Sequence, residues 1–180
     1  MAIEILRPNA VGDLDGLYGS GWSAVDEDPA DDETSMVWWG TFPATGSARD
    51  LYNLPASVGA GVIDKITIYA RSKGENYFYP FTGGGNIILK TGGTVYESGY
   101  KGCPSASVWY DWSEEWSTNP NTGNPWTWAE IDALQIGIRL RGSWLSGYRH
   151  ETYCTQVYVE VDFTLVVVPT VTTDPATEVT

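Results

Sequence analysis

The 180 residues suffice for one domain with its own hydrophobic core and a short appendage. With 23 acidic residues against 10 basic ones the formal net charge is −13, a field that repels phosphate backbones and anionic lipid and so excludes nucleic acid as a partner. No apolar run approaches the length of a membrane span; the longest, Leu165–Val168, is only a strand end.

Nine Trp, 11 Tyr and 4 Phe sit among 20 Gly and 10 Pro, a mixture that favours strands joined by tight turns. A first strand is expected over Ile3–Arg7. The start of the chain lacks the basic and apolar regions of a secretion signal, which points to folding in a cytoplasm. An acidic turn, Asp13-Leu14-Asp15-Gly16, follows. Beyond it comes a loop-like stretch crowded with Asp26, Glu27, Asp28, Asp31, Asp32 and Glu33. Hard oxygen ligands suit calcium, which makes Asp26, Asp28, Asp31 and Asp32 candidate ligands. Neither segment has the spacing of a twelve-residue calcium loop, and a solvated loop that aids solubility is the other reading.

Strands are next expected over Ser35–Phe42 and Arg49–Leu54. Trp38 and Trp39 are adjacent, so one points inward and the other outward. In the following strand Ile66, Ile68 and Ala70 alternate with Lys65, Thr67, Tyr69 and Arg71, giving one buried and one solvated face. Asn86–Thr91 and Thr94–Ser98 flank Gly92-Gly93, which supplies the positive φ angles of a two-residue hairpin. In the strand expected over Ser107–Trp116, Trp112 and Trp116 share a face with Tyr110, and Trp109 lies opposite. Glu114 and Glu115 face opposite ways and cannot form a catalytic pair.

One short helix is expected where Pro125 precedes Thr127 and Glu130, a capping box, with Ile131 and Leu134 on its apolar side. It reads as a plug over one end of the fold. Leu134, Ile136, Ile138 and Leu140 then alternate with Gln135, Gly137, Arg139 and Arg141. Together with Arg149, those arginines read as a solvated strand face. His150, the only histidine, falls in the polar segment Ser146–Thr152 and is expected in an exposed loop. No nucleophile elbow surrounds Ser143 or Ser146, so a hydrolase triad is not indicated.

The last strand alternates Val157, Val159, Val161 and Phe163 with Gln156, Tyr158, Glu160 and Asp162. Glu160-Val161-Asp162 begins the Glu-x-Asp-x-x-Glu pattern of some jelly-roll glycan hydrolases, but the third acid position is Leu165. The two acids are therefore read as the wet side of a strand. Cys103 and Cys154 lie in different β-like regions and are either one disulfide or two buried thiols. With His150 they offer three zinc ligands, short of a closed site.

About nine strands with this punctuation predict an all-β, two-sheet antiparallel sandwich of jelly-roll type over residues 1–168. Residues 169–180, PTVTTDPATEVT, read as an extended linker or arm. The binding or interface candidates are Trp38, Trp39, Trp109, Trp112, Trp116, Trp126 and Trp128. They divide between core packing, a subunit contact and stacking on sugar rings.

The opening ILRPNAVGD, the stretch AVDEDPADDETSMV, the later WSTNPNTGNPWTWAEIDALQIGI and the closing CTQVYVEVDF together resemble a jelly-roll domain of structural proteins from tailed bacteriophages and related environmental viruses. The resemblance spans residues 3 to 165. The tail resembles the lead-in to fibronectin-type-III-like or immunoglobulin-like repeats. The resemblance implies a non-enzymatic virion-surface module, a capsid decoration or tail-fibre protein, whose partners are its own copies or other virion proteins. It brings no catalytic residues and no cofactor beyond the calcium already considered. The alternatives are a carbohydrate-binding module of a cell-surface protein, a subunit of an extracellular filament and, last, a glycan hydrolase.

Overall fold

The computed structural model describes residues 1–40, 46–76, 83–145 and 148–166. Its strands are β1 (Ala2–Leu6), β2 (Ala10–Asp15), β3 (Tyr18–Gly19), β4 (Val37–Trp39), β5 (Gly46–Asn53), β6 (Val62–Asn76), β7 (Gly84–Thr91), β8 (Thr94–Glu97), β9 (Lys101–Gly102), β10 (Trp109–Trp116), β11 (Gln135–Leu145) and β12 (Tyr148–Thr164). All strand pairs are antiparallel. Sheet A runs β10–β6–β12, and the far edge of β12 is shared between β1 at one end and β4, extended by β3, at the other. Sheet B runs β2–β5–β11–β7, with β8 and β9 on the outer edge of β7. The β11–β12 hairpin joins the two sheets. The result is a two-sheet sandwich of jelly-roll type.

The alternation read from the sequence packs as expected. Ile66, Ile68 and Ala70 of β6 and Val157, Val159 and Val161 of β12 form one wall of the core. Ile136, Ile138 and Leu140 of β11, Ile87 and Leu89 of β7 and Tyr52 of β5 form the other. Each fully buried aliphatic side chain contributes about 1.5–3 kcal/mol over its exposed state. Gly92 and Gly93 close the β7–β8 hairpin with φ of 56° and 82°.

The predicted helix is α1 (Trp128–Asp132), and its capping box is complete. Ile131 and Leu134 enter the core. Trp128 meets the Phe163 ring edge-on, with centroids 5.1 Å apart, and its Nε1 donates to the Gly61 carbonyl at 3.0 Å, so the helix plugs one end of the sandwich.

The structure corrects three expectations. His150 is not in an exposed loop: it lies on β12, 1% exposed, and burial pulls its pKa below the ordinary 6.5. Asp162 is not on a wet face, for it is 4% exposed opposite Lys65, although Glu160 remains half-buried. Strands β2, β3 and β9 were not anticipated, and the expected Ser35–Phe42 strand shrinks to β4, its last residues falling outside the described set. The arm expected over 169–180 also lies outside it.

Candidate functional site

Because β6 points Ile66, Ile68 and Ala70 inward, it presents Lys65, Thr67, Tyr69, Arg71 and Lys73 on the outer face of sheet A. On β10 the same logic turns Tyr110, Trp112 and Trp116 toward the core, leaving Trp109, Asp111, Ser113 and Glu115 outside. The register then aligns one outward residue from each of five neighbouring strands. Tyr18 of β3 pairs with Trp38 of β4, Trp38 with Tyr153 of β12, Tyr153 with Lys73 of β6, and Lys73 with Trp109 of β10. At the usual inter-strand spacing this row spans roughly 19 Å.

The rings in the row touch. Tyr18 lies 4.7 Å from Trp38 and stacks 5.6 Å from Trp39, and Trp38 lies 6.3 Å from Tyr153. The Lys73 ammonium bridges the gap, 5.5 Å from the Tyr153 ring and 4.9 Å from Trp109. Burial lowers the Lys73 pKa, but Glu33 and Glu75 more than offset it, so the pKa rises. Glu33 holds the ammonium with both oxygens at 2.8 Å and accepts from Trp109 Nε1 at 3.1 Å. Lys73, then Trp109, keep the Glu33 carboxyl below its ordinary range.

Glu33 belongs to the acidic stretch, which crosses the outer face of sheet A as a strap. Its attachment starts at a β-bulge in β12, where Thr155 has no ladder partner between Cys154 and Gln156. Thr155 Oγ1 lies 3.1 Å from Asp31 Oδ1 and 2.9 Å from the Ser35 carbonyl, Gln156 Nε2 donates to the Glu27 carbonyl, and Val157 N–H donates to the Val25 carbonyl at 2.8 Å. Asp32 grips Arg71 through Nε at 2.6 Å and Nη2 at 2.9 Å, and Arg71 also reaches Asp111 at 2.8 Å. Asp28 pairs with Arg7 at 3.1 Å.

Beside the strap is a groove of about 380 Å³ lined by Arg7, Asp28, Asp32, Arg71, Gln156 and Tyr158, among others. In its neighbourhood Tyr158 stacks on Tyr69 at 4.8 Å and carries Arg7 over its ring at 4.9 Å. Burial, then a hydrogen bond with Glu160, pushes the Tyr69 hydroxyl up to about 12.

The seven tryptophans separate. Trp112 and Trp126 are core residues, Trp39, Trp116 and Trp128 pack against the core, and Trp38 and Trp109 stand in the row. Among the described residues no three His, Cys, Asp or Glu side chains converge as a metal site would require. Of the four aspartates named for calcium, Asp28, Asp31 and Asp32 bind Arg7, Ser35 with Thr155, and Arg71. Cys103 and Cys154 are buried free thiols with no bridge between them, and burial pushes both up to about 12. Sequence reasoning missed Tyr18, Tyr153 and Lys73, having placed Glu33 only in the acidic stretch. Only the strand register brings them together, whereas Tyr69 and Tyr158 were legible as outward aromatics.

No protein-family model and no curated protein matches the chain. Among solved structures it is similar to one described as "CBM4 structure and function", at TM-score 0.40 and 8% identity over 74% of this chain and 88% of that one. It is also similar to the C-terminal extracellular domain of Mycobacterium tuberculosis EmbC, at TM-score 0.35 and 13% identity over 88% of this chain. There the match spans 54% of the other chain. Among the described residues no helix is long and apolar enough to cross a membrane.

Proposed function

We propose that this domain is a non-catalytic binding module that takes up a carbohydrate chain across the aromatic row of sheet A, in an extracellular or cell-surface setting. The row Tyr18–Trp38–Tyr153–Lys73–Trp109 carries the reading. Ring faces are electron-rich and pair with the C–H faces of pyranoses, while carboxylates along the row, Glu33 among them, accept from hydroxyls. A straight line of such faces suits an extended oligosaccharide more than a compact ligand. Of the carboxylates that touch the row, Glu33 and Glu75 are bonded to Lys73 and Glu151 accepts from the Tyr153 hydroxyl, which suits them to hold a surface in place.

The test is titration of tryptophan fluorescence with a broad panel of soluble polysaccharides. A saturable change is expected with at least one chain, and Trp38→Ala or Trp109→Ala should weaken it at least about tenfold. A flat response across the panel would remove the reading.

A second reading, the self-associating structural module implied by the phage resemblance, is favoured by one observation. Ile3 and Ile5 of β1, an edge strand, are 54% and 50% exposed. Sedimentation should then show a dimer or larger species that Ile5→Lys dissociates.

A further inference from the structure

We propose, resting on the glycan reading above, that the row selects chains free of carboxylate and sulfate groups, and that Glu33 is the residue that sets this selection. Anionic polysaccharides are bound by cations that can turn to meet them, and the row has none to offer. Lys73, the cation in its middle, has a side chain only 5% exposed and is shared by two carboxylates, Glu33 at 2.8 Å and Glu75 at 3.1 Å. Arg71, one step along the same strand, is likewise shared by two, Asp32 at 2.6 Å and Asp111 at 2.8 Å. Each positive charge is therefore overcompensated, and the face as seen by a ligand is negative.

Glu33 decides which charge the ligand meets. Its side chain is 69% exposed, whereas Lys73 lies beneath it, so a chain stacked between Tyr153 and Trp109 passes over a carboxylate and not over the ammonium. An anion cannot displace that carboxylate cheaply, because Glu33 would lose three hydrogen bonds and stay beside the newcomer as a like charge. A neutral chain meets no such obstacle. A carboxylate has about four acceptor sites, three are taken by Lys73 and Trp109, and the remaining one can accept from a sugar hydroxyl. The protein's net charge of −13 adds a long-range field of the same sign.

The experiment uses the full chain and pairs each neutral polysaccharide of the panel with the same chain oxidised at C6 to carboxylates, measured by isothermal titration. At about 50 mM salt the neutral form should bind at least about tenfold tighter than its oxidised partner, and the ratio should shrink at about 0.5 M salt as charges are screened. Glu33→Gln should shift the ratio toward unity, and Asp111→Asn should do so to a smaller extent. Oxidised chains binding as tightly as neutral ones, or a ratio untouched by both variants and by salt, would overturn this inference and leave the glycan reading standing. Binding by neither set would overturn both.

Discussion

The outer faces of the two sheets obey the same alternation and end in different surfaces. On sheet A the outward positions carry rings that are only partly covered: Tyr18 is 46% exposed, and Trp38, Tyr69, Trp109, Tyr153 and Tyr158 are half-buried. On sheet B, Leu51 of β5 and Ile88 of β7 flank Gly137 of β11 in one register row and point away from the core, yet both are 0% exposed. Long polar neighbours surround them: Arg49 and Arg139 meet on Glu97 at 2.6 and 2.9 Å, Lys90 pairs with Asp13, and Gln135 donates to Asn53 at 3.0 Å. Gly137 permits the close approach of β5 and β11 beneath them, since a Cβ there would sit 1.9 Å from the Asp50 carbonyl oxygen. Exposed aromatics are thus no automatic product of the fold. One face covers its outward apolar residues, and the other leaves its rings in reach of a ligand.

The contrast is broken most sharply at Leu51. Leu51→Ala should cost about 3 kcal/mol in urea denaturation, the scale of a true core truncation, although the residue lies outside the core cluster. A loss below about 1 kcal/mol would mean that the polar layer does not bury it. Trp38→Ala should show the reverse pattern, about 1 kcal/mol in stability against a tenfold or greater loss of glycan binding.

Acid acts with opposite sign on the outer face of sheet A and on the inner side of sheet B, where Asp50 shares the core-facing side of β5 with Tyr52. Asp32 and Glu33 sit below their ordinary values of 3.8 and 4.5, held there first by Arg71 and Lys73, so the unfolded chain binds the extra protons in that range. Their contribution is complete above those values and is lost as pH falls through the lowered ones. Asp50, whose carboxylate accepts from Gly16 and Leu17 N–H at 2.7 and 2.8 Å on the sheet B side, is raised by burial. The native state then binds the extra proton, and stability falls as pH climbs from 3.8 through the raised value. Trp109 fluorescence should therefore report strap release on acidification, and Asp50→Asn should remove the opposing slope from the pH–stability curve. An unchanged slope in that variant would show that Asp50 titrates normally. The smallest effect is expected at Glu97, where Glu97→Gln should cost no more than about 1 kcal/mol, because both ion pairs are partly solvated.

The fold class was legible because β6, β11 and β12 carry uninterrupted alternation, and the helix because its cap is local in sequence. The segment around His150 was not, since a polar composition looks the same on a covered strand and in a loop. What buries it is contact with distant segments such as Gly40, whose Cβ would meet the Glu151 side chain at 2.4 Å. The candidate site was half legible. Trp38 and Trp109 stood out as residues, but their alignment with Tyr18, Tyr153 and Lys73 comes from four separate strand pairings. The acidic stretch, read as a solvated or calcium-binding loop, is a strap because its carboxylates find Arg7, Arg71 and Lys73, residues spread over the chain.

The unpaired threonine in β12 also sets the phase of that strand. Residues five apart on a regular pleat look to opposite sides, yet Tyr153 and Tyr158 both look out, while Thr152 and Cys154 before the irregularity and Val157 and Val159 after it all look in. Thr155 shifts the strand by half a pleat. Drawn into regular pairing, Thr155 would turn the Thr152–Cys154 end of β12 inside out, hiding Tyr153 and bringing Cys154 to the surface, whereas deleting it would leave both tyrosines facing out, four residues apart.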